Sequence, residues 1–266
     1  MCCKKLSKGD FLEKKIFGIS LGGTGWTSGC ENAPNVIKLL IDNYCPDLYN
    51  IAKYHSIYFD PGISTEKKLK KIYDKYSELV KNNEKVLSLG GDHLISFPIV
   101  KKLSENIGKF KYVYLDAHLD LFDDTPYYNW NVARKIKDLG IDVFNIGFRN
   151  FIDEKKFNCI ENIPINFEFN SKIISDKIKQ MLGNKDEKIY LSIDLDILDP
   201  LIFPYVNSPV SCGLLPRELF FIIKELVANY SIIGIDINEY NPINDHQNTG
   251  NHFIRFIIDY ILNKWE

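Results

Sequence analysis

Three short runs in the 266-residue chain concentrate side chains that bind cations: Gly90-Gly91-Asp92-His93, Asp116-Ala117-His118-Leu119-Asp120 and Ser192-Ile193-Asp194-Leu195-Asp196. Each continues an apolar stretch, respectively Val86 to Leu89, Tyr112 to Leu115 and Ile189 to Ile193. Residues i and i+2 of a strand project to the same side. If strand geometry persists, Asp116, His118 and Asp120 therefore converge, as do Asp194 and Asp196. The glycines before Asp92 permit a tight backbone path that can carry the His93 imidazole to the same sheet edge. His93 alone reads as structural, and an isolated D-x-H-x-D reads equally well as a solvated strand end. Four aspartates and two histidines from three strand ends are a different matter. About four carboxylate charges in one crevice repel one another unless cations neutralise them.

Oxygen-rich ligation with one imidazole per ion suits Mn²⁺ better than a thiolate-seeking metal, and shared carboxylates favour a pair of ions. The chemistry that follows is hydrolysis, because two cations lower the pKa of water and supply a nucleophile near neutral pH without a serine or cysteine. A calcium loop opening at Asp194 is excluded, since its fifth position is Leu198 and no glycine follows. Asp199, before Pro200, reads as a turn residue. Gly22-Gly23-Thr24-Gly25 places Ser28 where a dinucleotide fingerprint needs glycine and lacks the Gly-Lys-Ser/Thr of a phosphate loop, so it reads as a structural turn.

The elements that must position these groups follow from the pattern of apolar runs. Strand-like stretches at Ile16 to Leu21, Val86 to Leu89, Tyr112 to Leu115, Val143 to Ile146, Ile189 to Ile193 and Ile232 to Ile237 alternate with longer amphipathic segments. Those segments are Ala33 to Tyr44, Thr65 to Asn82, Val132 to Leu139, Ser171 to Leu182, Pro216 to Asn229 and Asn251 to Trp265. Such alternation predicts βαβ units around a buried, mainly parallel sheet, a three-layer αβα fold. In these sheets ligands gather beyond the carboxyl ends of the strands, which is where the acidic runs stand. No linker-like stretch divides the chain, so residues 1–266 are expected to form one domain.

Composition narrows the partner. The net charge is -2 and the lysines are scattered, which gives no footprint for nucleic acid or an anionic membrane. The longest apolar runs, such as Phe220 to Ile223 and Phe253 to Ile258 with Arg255 inside it, are too short to span a bilayer. Met1-Cys2-Cys3-Lys4-Lys5 reaches Asp10 without a signal-peptide core, so a soluble, cytoplasmic protein is expected. Cysteines 2, 3, 30, 45, 159 and 212 form no C-x-x-C pair and read as reduced thiols, with no glycine ahead of Cys2 and Cys3 to support acylation.

Taken together, the three acidic runs resemble, in order and spacing, the metal motifs of the arginase/agmatinase/formiminoglutamase family, the ureohydrolases. Glu31-Asn32-Ala33-Pro34, Cys212-Gly213-Leu214 and Glu239-Tyr240-Asn241-Pro242 extend the similarity across roughly residues 16 to 262. The resemblance implies an arginase-like fold and two Mn²⁺ per chain. One ion would be held by His93, Asp116, Asp120 and Asp194, the other by Asp116, His118, Asp194 and Asp196, with Asp116 and Asp194 bridging. It also implies homo-oligomers and a catalytic set in which Glu239 pairs with a guanidinium through charge-assisted hydrogen bonds and Asp120 transfers a proton to the leaving amine. The expected reaction is hydrolysis of a guanidino group to urea and an amine, with arginine to ornithine as the leading case.

The sequence departs from that family in one loop. Members usually carry a histidine after the aspartate-histidine motif, whereas Asp123 to Arg134 contains none. Asn129 or Trp130 occupies the position, and with Asn131 these form the expected substrate-binding set; none can relay a proton as imidazole does. His246 is the candidate substitute. Phe122 stands where an asparagine is expected, which leaves three substrates open: free arginine, a decarboxylated or acylated guanidino compound, or an arginine side chain in a peptide. Tyr127, Tyr128 and Trp130 could line a pocket for a larger one. Two other readings stay open, a non-catalytic metal-binding family member acting through partners and a mononuclear zinc amide hydrolase of related fold.

Overall fold

The computed structural model describes residues 14–25, 28–81, 84–123, 126–149, 161–164 and 169–265. Cys2, Cys3 and Cys159, and the loop residues Asp124 and Thr125, lie outside the described residues.

The sheet is built from β1 (Lys14–Ile19), β2 (Ala52–Ile57), β3 (Lys85–Gly90), β4 (Lys111–Leu115), β5 (Asp142–Ile146), β6 (Glu161–Ile163), β7 (Lys188–Asp194) and β8 (Ser231–Asn238). All eight pair in parallel in the order β2-β1-β3-β8-β7-β4-β5-β6. The expected three-layer αβα arrangement is what forms. Helices Ala33–Tyr44, Ser171–Leu182, Pro216–Asn229 and Thr249–Lys264 contribute to one core, and Thr65–Leu79, Ser96–Ile107 and Val132–Lys137 to the other. The central strands are buried on both faces, so they read as continuous apolar runs rather than alternating ones. Among the described residues no helix is long and apolar enough to cross a membrane.

Register fixes where the chemistry sits. Leu89 pairs with Ile237, Ile237 with Ile193, and Ile193 with Leu115, forming one row across the four adjacent strands β3, β8, β7 and β4. The next residue along each strand is Gly90, Asn238, Asp194 and Asp116. The acidic runs therefore leave the sheet side by side at its carboxyl edge, the place where open α/β sheets bind their ligands.

Two strands were not legible as such. Ala52–Ile57 is an edge strand whose side chains are mostly part-exposed, so it carries Lys53, Tyr54, His55 and Ser56 and lacks an apolar run. Glu161–Ile163 is a three-residue strand at the opposite edge.

Candidate metal centre

Beyond β3 the chain makes a turn that only glycine fits. The Gly91 N–H donates to the Ile19 carbonyl at 3.2 Å, and a Cβ at Gly91 would stand 2.2 Å from the Leu21 carbonyl oxygen. Asp92 then accepts the Leu94 N–H on Oδ1 at 3.0 Å and, on Oδ2, the backbone N–H of Thr24 at 3.3 Å together with the Thr24 hydroxyl. These bonds draw the Gly22-to-Gly25 turn over the strand end and aim His93 inward.

The same device recurs at the other strand ends. Asp116 Oδ1 accepts the His118 N–H at 2.6 Å and Asp194 Oδ1 accepts the Asp196 N–H at 2.9 Å, each an i to i+2 side-chain turn. This corrects the expectation that pleated-strand geometry carries the motifs. The β4 strand ends at Leu115, Asp196 lies in a single 3₁₀ turn, and Asp120 has a left-handed φ of 48°. The side chains converge because aspartate bonds its own backbone and reverses the chain. Asn145 supports the turn from β5, donating to the carbonyls of Asp116 at 3.3 Å and His118 at 3.1 Å. Asp199 is a turn residue, its two carboxylate oxygens accepting from Leu201 N and Gly213 N at 2.9 Å.

All six expected ligands come together. His93 Nδ1 lies 3.2 Å from Asp116 Oδ2, 3.1 Å from Asp120 Oδ2 and 3.2 Å from Asp194 Oδ2. His118 Nδ1 lies 2.8 Å from Asp196 Oδ2 and 3.5 Å from Asp116 Oδ1. His93, Asp116 and Asp194 form one group able to hold an ion, and Asp116, His118 and Asp196 a second, with Asp116 common to both. His93 Nδ1 and Asp116 Oδ2 are buried and, among the described residues, have no hydrogen-bond partner. Orphaned, inward-facing donors of hard oxygen and imidazole type fit a pair of divalent cations.

The protonation of the metal-free cluster points the same way. Burial and the neighbouring Asp116 push Asp120 up to about 7, burial with Asp196 and Asp116 carries Asp194 well above the carboxylate range, and burial with Asp116 raises Asp196. Burial alone would lower both imidazoles. Tyr112 and the three facing carboxylates instead hold His93 well above its usual range, and Asp196 with Asp116 raises His118 to about 12. Asp116 is the exception among the carboxylates: although buried, it is held below its usual range by His118 and His93. Without metal the cluster balances its charge with protons, which cations would displace.

A buried network behind His93 sets its tautomer. Asp236, fully buried, accepts from Ser192 Oγ at 2.5 Å, Ser96 Oγ at 2.6 Å, the Tyr190 hydroxyl at 2.6 Å and Asn238 Nδ2 at 2.7 Å. Ser192 gives its hydrogen to Asp236, so at 3.0 Å from His93 Nε2 its oxygen accepts. Once deprotonated, the imidazole would thus keep its hydrogen on Nε2 and offer the Nδ1 lone pair to a cation. The signal for Asp236 in the sequence is one charge inside the apolar strand Ser231–Asn238, a position that demands partners. Arg149 is a second residue that sequence reasoning missed. Its guanidinium donates to the Asp196 and Val210 carbonyls at 2.8 and 2.7 Å and ties the turn after β7 to the loop before Cys212.

Glu239 borders the cluster with a left-handed φ of 63°. Its N–H donates to the Gly91 carbonyl at 2.7 Å, while Oε1 accepts the His93 N–H at 2.8 Å and Asn129 Nδ2 at 3.3 Å. Burial and the nearby Asp92 push its carboxyl up to about 8. Of the loop residues, Asn129 is therefore the one at Glu239. Trp130 stacks on Tyr128 at 4.3 Å, and Asn131 accepts from Tyr128 N and donates to the Pro126 carbonyl, so its amide holds the loop itself. His246 is exposed on a turn after Asn244, and none of the cluster contacts above involves it.

The chain is similar to known proteins. The model of the arginase family matches residues 13–262. An agmatinase of Bacillus anthracis is 28% identical over 203 residues, covering 71% of this chain and 69% of that protein. A mitochondrial arginase of Medicago truncatula is 32% identical over 201 residues, covering 70% of this chain and 57% of the relative. In three dimensions, proclavaminate amidino hydrolase from Streptomyces clavuligerus superposes with a TM-score of 0.84 at 22% identity, covering 96% of this chain and 92% of that one. At that identity the structural likeness establishes the fold.

Proposed function

We propose, because the chain belongs to the arginase family, that this hydrolase cleaves a guanidino group to urea and an amine at a two-Mn²⁺ centre. The observation that carries the reading is the cluster of six ligands at one sheet edge with Glu239 bonded to it through the His93 N–H. His93, Asp116, Asp120 and Asp194 would hold one ion, and Asp116, His118, Asp194 and Asp196 the other. Bound there, the ions lower the pKa of water and supply the nucleophile.

The remaining work falls to the chain's own residues. Glu239, buried and with Oε2 unpartnered among the described residues, binds and orients the planar cation. Asp120 carries a proton to the leaving amine. Burial of the cluster excludes bulk water and strengthens each of these contacts. Arginine, free or in a peptide, is the leading substrate. Agmatine stands beside it, since relatives named agmatinase and arginase both match. A cytoplasmic location and homo-oligomeric assembly belong to the same reading.

The test is urea release by Mn²⁺-loaded protein from free arginine, agmatine and an arginine-containing peptide. Release from any of them supports guanidino hydrolysis and names the substrate. Silence from all three would move the chain to another C–N bond or to a non-catalytic role acting through partners.

A further inference from the structure

The contact between Asn129 and Glu239 defines more than a loop anchor. Asn129 Nδ2 donates to Glu239 Oε1 at 3.3 Å, so the amide oxygen is turned away from that atom. Asn129 Oδ1 and Glu239 Oε2 are then both buried and, among the described residues, both without a hydrogen-bond partner. Each belongs to one of the two planar groups that meet in this contact.

The amide is held in place before any ligand arrives. Asn129 opens the turn Asn129–Asn131, which is clamped by the Tyr128–Trp130 stack and by both ends of the Asn131 amide. From the other side Gly25 lies against it. A Cβ there would stand 2.7 Å from Asn129 Nδ2 and 3.0 Å from Oδ1, and the Gly22-to-Gly25 turn is itself tied to Asp92.

We infer that Asn129 Oδ1 and Glu239 Oε2 form a two-acceptor clamp that selects planar cations ending in unsubstituted NH₂ groups, with Asn129 as a specificity-determining residue. This deepens, and rests on, the guanidino-hydrolase reading. A guanidinium or amidinium offers in-plane N–H donors to such a pair. The amide supplies the second acceptor without adding another carboxylate to a crowded acidic site. Methylation of a terminal nitrogen removes one of the donors that this pair would accept.

The test titrates guanidinium ion, agmatine and ω-N-methylated agmatine into metal-loaded wild type, Asn129→Leu and Asn129→Ser by calorimetry, with urea release measured in parallel. Asn129→Leu is expected to weaken guanidinium and agmatine binding about tenfold, the loss of one charge-assisted hydrogen bond. The same variant should bring the KM ratio between methylated and unmethylated substrate toward one. Asn129→Ser, which keeps a small acceptor, should fall between. If Asn129→Leu weakens binding while no protein releases urea, the clamp stands and the hydrolase reading falls. Unchanged binding and discrimination in a folded Asn129→Leu that releases urea overturns the clamp alone. Failure of wild type to bind guanidinium ion also overturns it.

Discussion

The backbone N–H of His93 donates to the Glu239 carboxylate at 2.8 Å, across 146 positions of sequence. The imidazole proposed as a metal ligand and the carboxylate proposed to bind the substrate cation are thus joined by one peptide group, and the Glu239 N–H returns the tie to Gly91 at 2.7 Å. A shift of either residue moves the other, so damage to the metal site is expected to reach substrate binding as well.

Asp116 is common to both ion-binding groups, so Asp116→Ala should leave fewer than two metals per chain by elemental analysis. Loss of several kcal/mol of charge stabilisation corresponds to a fall in urea release of about a thousandfold or more. Retained activity in a variant with full metal content would remove Asp116 from the centre.

Ser192→Ala leaves every proposed ligand in place but removes the oxygen that accepts from His93 Nε2. Disturbed support behind a ligand typically costs about 10- to 100-fold in metal affinity. Competition with a chelator of known affinity measures this. An unchanged affinity would show that Tyr112, 3.1 Å from the same nitrogen, suffices to hold the ring.

Metal binding should release protons. His93 and His118 are held protonated in the metal-free cluster, both pKa values lying above neutrality. Each must lose its proton to ligate, so the affinity falls as pH falls. Its logarithm should rise with pH, and more steeply below about 7, where Asp120 also carries a proton. A pH series of metal titrations reads the slope, and a slope of zero would rule out protonated imidazoles in the metal-free state.

Gly91→Ala places a Cβ 2.2 Å from the Leu21 carbonyl, a collision with backbone that no rotamer relieves. Overpacking of this kind costs about 1–3 kcal/mol, about 2–4 °C or more in Tm for a chain of this size. Because Gly91 also accepts from Glu239 N, thermal unfolding and metal affinity should both decline. A variant with wild-type values of both would show that the turn is free to relax.

Most of the fold was legible because the central strands, buried on both faces, announce themselves as apolar runs, and because β3, β4 and β7 each run into an aspartate, Asp92, Asp116 and Asp194. The ligand residues were legible for the same reason, but their geometry was not. Pleating was expected to align Asp116, His118 and Asp120, whereas side-chain turns and a left-handed Asp120 do so, and local backbone bonds leave no trace in apolar periodicity. Edge strand Ala52–Ile57 was missed because half-exposed positions tolerate polar residues. Asp236 was missed because its partners Ser96, Ser192 and Tyr190 come from other elements, and a single sequence does not reveal which distant hydroxyls meet it.

The row that runs from Leu89 through Ile237 and Ile193 to Leu115 has a further consequence for how the molecule is made. His93 reaches Asp116, Asp120 and Asp194 only when β8, the last strand in the chain, has slotted between β3 and β7, whereas Asp116, His118 and Asp196 stand at the ends of the adjacent strands β4 and β7. Long loops must close first, and such pairings form slowly. A cation held by all of these groups would therefore meet a finished sheet rather than nucleate it, and would keep that sheet closed by slowing unfolding.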